Sequence, residues 1–236
     1  ADGDLKPDVT LPGGMIYSSV NDGEYYMDRG TSMASPHAAG ATALVKQALK
    51  ERFPYLSPEQ LQILVKQMTM STAVPHVDEE TKAYSSVRQQ GAGVMDVTAA
   101  ALGDLYVTAK DAKSSLTLGN VTDTFEFDVT IHNLSNQEKS VRYETTLQTD
   151  QVQDGKFTLH PRLLETIAGN EAITIPANGQ RTIRVSVDAS KYQSELSQQM
   201  PNGYFLEGYV LVKDAGTKQH LVSLPYVGFH GEDRKS

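Results

Sequence analysis

The 236-residue chain contains no cysteine. Disulfides, thiolate metal sites and thiol nucleophiles are thereby excluded, and stability has to come from packing. No apolar run approaches the roughly 20 residues that span a bilayer, so no membrane span is expected in this chain. The acidic start Ala1-Asp2-Gly3-Asp4 is unlike a secretory signal peptide; were the parent protein secreted, its address would lie outside this chain. Positive charge is also in short supply. The 21 basic and 29 acidic residues give a net charge of -8. Before Gly103 there are 8 basic and 12 acidic residues, and from there on 13 and 17, so neither half carries a basic stripe suited to a phosphate backbone. Nucleic acid is not an expected partner. No His/Cys cluster and no regular carboxylate loop argues for a metal, and no cofactor is expected. Internal repeats and low-complexity tracts are absent as well.

What is present reads as two parts. The length exceeds the usual single-domain size and fits two modest domains, each able to bury a core. Before Gly103 two segments have helical periodicity: Ser32 to about Phe53, and Ser57 to about Met70, where Leu61, Leu64, Val65 and Met68 share a face. Ser57 is placed to cap the second helix, Pro58 suits its first turn, and Gln60 completes a capping-box pattern. After Gly103 the period becomes two. Phe125, Phe127, Val129 and Ile131 alternate with polar residues, as do Ile183, Val185 and Val187, with turn clusters at Asn133–Asn136 and Pro176–Gly179. Adding Val141 to Leu147, Tyr204 to Val212 and His220 to Phe229 gives about seven short strands, the number of a β-sandwich. The boundary is set at 1–102 and 103–236.

The chemistry is concentrated in Gly30-Thr31-Ser32-Met33-Ala34-Ser35-Pro36-His37. A serine hydroxyl becomes a nucleophile only with a general base, and it benefits from a rigid perch where N–H groups meet a developing oxyanion. A helix N-terminus supplies that perch. Gly30 permits a tight turn into the helix, and the small residues Ala34, Ala38, Ala39, Gly40, Ala41 and Ala43 let it sit deep among neighbours. A lone Gly-Thr-Ser is an ordinary helix cap; the whole octet is not.

This octet resembles the nucleophile signature of the subtilase family. Leu5–Val9, Pro12-Gly13-Gly14 and Ile16–Ser19 resemble the strand and glycine turn before the nucleophile in those enzymes, and Gln90–Val97 resembles the strand and helix start that close the catalytic domain. Asn202–Tyr209 and Leu224–Gly231 are similar to the first fibronectin-III-like domain of lactocepin-type cell-envelope proteinases and streptococcal complement-factor peptidases. The resemblance implies an α/β subtilase-like partial domain followed by an all-β fibronectin-III-like sandwich. Leu11 stands where alanine is usual, and Asp28-Arg29 where a small or polar residue is common, which bears on the cleft wall and substrate preference.

Carried over residue by residue, the resemblance makes Ser32 the catalytic nucleophile, with its own N–H as one oxyanion donor and Thr31 in support. Met33 has two readings, beside the oxyanion site or as a plain core methionine. The family's triad order is Asp, His, Ser, and the 31 residues before Ser32 contain no histidine, so the base and its aspartate are expected upstream. His37, five residues on, is turned about 140° away along a helix and is read as a packed motif histidine. His76, His132, His160, His220 and His230 are read as surface or satisfied structural residues, and Asp8 as structural. Two functions follow. One is a segment of a secreted, cell-wall-associated serine endopeptidase acting on protein or peptide substrates, completed by the upstream part of its catalytic domain. The other is a non-catalytic binding or spacer module with an inert protease remnant.

Overall fold

The computed structural model describes residues 4–169 and 171–231. Its first part opens with a hairpin, β1 (Ile16–Ser19) and β2 (Tyr25–Asp28), paired antiparallel with Ile16 opposite Asp28. Helix α1 (Thr31–Arg52) follows, then α2 (Pro58–Ser71), the short α3 (Val87–Gln90) and α4 (Val97–Leu102). The start of α2 has the full capping box: Ser57 Oγ accepts from the Gln60 N–H at 3.2 Å, and Gln60 Oε1 accepts from the Ser57 N–H at 2.9 Å. Asp96 caps α4 with its side chain alone, accepting from the Ala99 N–H at 2.8 Å. Val45 and Leu49 of α1, Leu61, Leu64, Val65 and Met68 of α2, Met95 and Ala100 form one buried cluster. Leu11 is half-buried against it. Much of the rest of α1 is exposed, Leu44 included. A helix apolar or small on most faces therefore buries one stripe only within this chain.

The second part is a two-sheet sandwich, built from β3 (Leu105–Thr108), β4 (Leu116–Asn120), β5 (Thr124–Asn133), β6 (Lys139–Gln153), β7 (Lys156–Ala168), β8 (Ile173–Ile175), β9 (Gln180–Asp188), α5 (Gln193–Gln199), β10 (Tyr204–Asp214) and β11 (His220–His230). The expectation of about seven short strands is corrected: nine strands are described here, and β6 and β7 run 15 and 13 residues. One sheet has the order β3-β5-β9; the other runs β4-β11-β10-β6-β7, with β8 also pairing β6. All pairs are antiparallel except β4 with β11. Facing side chains such as Phe127, Val129, Ile131, Val185, Leu206, Val210, Leu224 and Tyr226 fill the space between the sheets.

The larger sheet is buried on both faces, which period-two reading of its strands does not anticipate. In β10, Tyr204, Leu206, Val210 and Val212 point into the sandwich, while Tyr209 and Leu211 join Leu5, Val87 and Val227 in a separate cluster against the first part. Polar bonds reinforce this seam. Tyr209 Oη donates to the Gly91 carbonyl at 2.6 Å, and Gln148 Nε2 donates to the Tyr84 carbonyl at 2.7 Å. Glu207, fully buried, accepts from Arg88 Nε at 2.9 Å and from Ser86 Oγ at 3.1 Å, and Arg88 also pairs with Asp150.

Candidate functional site

The site is built where the β1–β2 hairpin hands over to α1. Gly30 is the N-cap of α1, with φ 150° and ψ 171°, a conformation that side chains disfavour. Its N–H donates to the Gly13 carbonyl at 2.7 Å, which ties the helix start to the preceding glycine turn. Gly13 is required there by space: a Cβ would lie 2.6 Å from the Gly30 carbonyl oxygen. The Met33 and Ala34 N–H groups both turn back to that oxygen, at 3.1 and 3.3 Å. The Ser32 N–H has no acceptor among the described residues and projects from the positive end of a 22-residue helix. Pro36 lies inside the helix and lacks the N–H that would otherwise meet the Ser32 carbonyl.

Ser32 and Thr31 are exposed and Met33 is half-buried. An open cavity of about 610 Å³ adjoins them, lined by Ser32, Met33, Pro36 and His37 from α1 and by Ile16 to Val20, Tyr26 and Asp28 from the hairpin. Strand alternation puts Tyr26 and Asp28 on the hairpin face that meets the helix, and Asp28 is the one carboxylate in this lining. Its Oδ1 accepts from the Arg29 N–H at 2.7 Å.

His37 departs from its reading as a packed histidine. It is exposed rather than packed, and it lines the same cavity as Ser32, facing the hairpin across it. Its Nδ1 lies 2.8 Å from the Met33 carbonyl; since a carbonyl only accepts, Nδ1 carries the proton. No described group hydrogen-bonds the Ser32 hydroxyl. Of the other histidines, His132 bonds Thr108 at 2.8 Å and stacks on Tyr106, His160 bonds Asp78 at 2.7 Å, and His230 pairs with Asp123. Asp8 pairs with Lys6 and Lys66. A second cavity, of about 370 Å³, lies between Lys6, Lys66 and Lys113, away from Ser32. No group of three or more histidine, aspartate and glutamate side chains among the described residues is arranged to hold a metal ion, and no described helix is long and apolar enough to cross a membrane.

What sequence reading missed is the reach of the hairpin. Tyr17 and Tyr25 stack on it with ring centroids 5.7 Å apart, and Tyr26 and Asp28 form the cavity wall, although β1 and β2 are only four residues each. The run Tyr25-Tyr26-Met27-Asp28 has strand-favouring tyrosines but no alternation, and it is too short to stand out as a strand.

Comparison with known proteins agrees with the geometry. Residues 1–93 match the subtilase family model, and residues 116–227 match that of the Fn3-like domain. A C5a peptidase of Streptococcus pyogenes is 44% identical over 233 residues, covering 98% of this chain and 20% of the relative. A PII-type proteinase of Lactococcus lactis subsp. cremoris is 32% identical over 248 residues, covering 97% of this chain and 13% of that protein. The chain thus spans about a fifth or less of the length of these relatives. With an octet-bearing helix start seated on a glycine turn and a sandwich packed behind it, the chain comprises a segment matching the subtilase family followed by an Fn3-like domain.

Proposed function

We propose that Ser32 is the nucleophile of a serine endopeptidase that hydrolyses peptide bonds in protein substrates, and that a preceding part of the same protein supplies the histidine base and its aspartate. The observation that carries this is the state of Ser32: an exposed hydroxyl at the mouth of a cavity, on a helix start fixed by Gly30 and Gly13, with its own N–H unspent. In this reading the base takes the Ser32 proton as Oγ attacks the substrate carbonyl, and the Ser32 N–H donates to the oxyanion as it forms. The base then protonates the leaving amine, and water repeats the sequence on the acyl-enzyme. Thr31 supports the nucleophile's turn, and Met33 borders the oxyanion. The division falls at 1–102 for the catalytic segment and 103–236 for the sandwich, which braces that segment from behind. Secretion to the cell surface, with association to the cell wall, belongs to the same proposal and rests on the resemblance to cell-envelope proteinases. The similarity to a protein called C5a peptidase makes C5a the first substrate to try.

The test is a fluorophosphonate probe applied to the full-length protein. Labelling at Ser32, abolished together with peptidase activity in Ser32→Ala, is the expected result; full activity in Ser32→Ala would overturn it. The 236-residue chain alone is expected to stay unlabelled, since no described histidine bonds Ser32.

A further inference from the structure

We propose that Asp28 sets the substrate preference of this site by selecting a lysine or arginine side chain next to the scissile bond. The inference rests on Ser32 being the nucleophile and adds which peptides it meets. Asp28 is half-buried in the wall of the cavity that Ser32 adjoins, as its one carboxylate. The strand places it there: Tyr26 and Asp28 share the face turned to α1, and the pairing of Asp28 with Ile16 fixes the end of β2. The carboxylate is also held in orientation, since Oδ1 accepts the Arg29 N–H at 2.7 Å while the Tyr26 hydroxyl lies 3.5 Å from Oδ2.

Among the described residues the carboxylate has no ion-pair partner, and His37 in the same lining is bonded to the Met33 carbonyl instead. No described lysine, arginine or histidine pairs with Asp28, although ion pairs join many other described residues. The neighbouring Arg29 is exposed and is not part of the cavity lining. The cavity therefore offers a fixed negative charge beside apolar and aromatic walls, from Ile16, Tyr17, Tyr26 and Met33. A lysine or arginine satisfies both features: its methylene stem lies along the apolar wall while its charged head meets the carboxylate. An acidic side chain in the same place is repelled, so the carboxylate selects by exclusion as well as by attraction.

The experiment compares the full-length protein with its Asp28→Asn and Asp28→Lys variants. Substrates are peptides of one sequence in which each position flanking the scissile bond is in turn lysine, alanine or glutamate. Asparagine keeps the acceptor for the Arg29 N–H and removes the charge. At one position next to the scissile bond, kcat/KM for the lysine peptide is expected to fall about tenfold in Asp28→Asn, the usual scale for losing one partly exposed charge contact. The alanine peptide should be unchanged, and Asp28→Lys should favour the glutamate peptide. An unaltered lysine preference in Asp28→Asn overturns the proposal. So does an equal loss on all three peptides, which would make Asp28 a support for the hairpin. Absence of cleavage by every form, with no fluorophosphonate label at Ser32, overturns the serine-protease reading and this inference with it. Label at Ser32 with no lysine preference sinks this inference alone.

Discussion

The Arg88 guanidinium lies 4.1 Å from the centre of the Phe205 ring, so one side chain of α3 covers an aromatic of β10 while its Nε holds Glu207, two residues along the same strand. Glu207 is wholly inaccessible, and its second oxygen, Oε1, has no partner among the described residues. Its contact with Arg88 Nε is the ion pair that Glu207 makes among the described residues. Arg88→Ala should cost about 3 kcal/mol, the lower end of what is lost when one member of a buried pair is removed. Arg88→Lys, which keeps the charge and loses the planar fork, should cost less. Urea denaturation of the 236-residue chain measures both. A loss near zero for Arg88→Ala would mean that the buried pair contributes little to stability.

His160 and Asp78 make a second contact across the seam, and it should depend on pH. The backbone N–H of Thr81, followed by the His160 ring, holds the Asp78 carboxyl down at about 2. The hydrogen bond to Asp78 raises His160 above the ordinary 6.5. The depressed carboxylate contributes above its ordinary value of 3.8 and is lost as pH falls through about 2. The raised imidazole contributes fully below 6.5 and is lost as pH rises through its folded value. The contact should thus be complete between those ordinary values. Side-chain NMR of His160 should show titration above 6.5 that returns to ordinary in Asp78→Asn; an unshifted His160 in the unaltered chain would show that the contact does not form in solution.

On the proposed function, Met33 should make the full-length protein's peptidase activity sensitive to peroxide. It is half-buried, lines the cavity beside Ser32, and its sulfur lies close to Gly30. With Ser32 as the proposed nucleophile, a sulfoxide there would place a polar oxygen beside the proposed oxyanion position, and losing one oxyanion donor costs on the order of a hundredfold in turnover. Turnover should fall on that scale with KM little changed, and Met33→Ala should remove the sensitivity. Oxidised Met33, located by peptide mapping, with turnover intact would return the residue to its reading as packing.

The sandwich should fold without the catalytic segment, at a reduced stability. Its inner cluster draws only on residues from Leu105 onward. Expressed as 104–236, it is expected to melt in one cooperative transition, with a lower midpoint than the 236-residue chain because Tyr209, Leu211 and Val227 lose their cover from Leu5 and Val87. A broad, non-cooperative melt would count against a separate domain.

Local signals in the chain were legible where the physics is local. The Ser57–Gln60 capping box and the alternation of β5 and β9 depend on neighbours a few residues apart or on one buried face, and each is found where the spacing puts it. Helix α1 was legible in extent but not in surroundings: Leu44 reads like Leu49, yet one is exposed and the other fully buried. The length of β6 and the existence of β7 escaped because Arg142, Glu144, Gln148, Asp150 and Glu165 break the apolar pattern. Some of those polar residues serve the seam: Gln148 reaches Tyr84 and Asp150 reaches Arg88, pairings 64 and 62 residues apart in sequence. At the site, the octet singled out Ser32 as the candidate, but nothing in it indicated that Tyr26 and Asp28 would line the cavity beside it.

Strand β10 has a consequence for how the sheet finds its alignment. Ordinarily a strand with one wet face is held in register because slipping by one residue would turn its apolar side chains to water. Here a slip would only exchange Leu206, Val210 and Val212 for Tyr209 and Leu211, one greasy set for another. Hydrophobicity is nearly blind to the error, and two residues of a different kind must detect it. Gly208 is one: any side chain in its place would collide with the Thr146 carbonyl, since even a Cβ there would be 1.9 Å from that oxygen. Glu207 is the other, a charge tolerable on the face where Arg88 waits and intolerable on the face lined by Leu206 and Val210. A steric check and an electrostatic check, side by side, settle an alignment that the oily residues around them leave undecided.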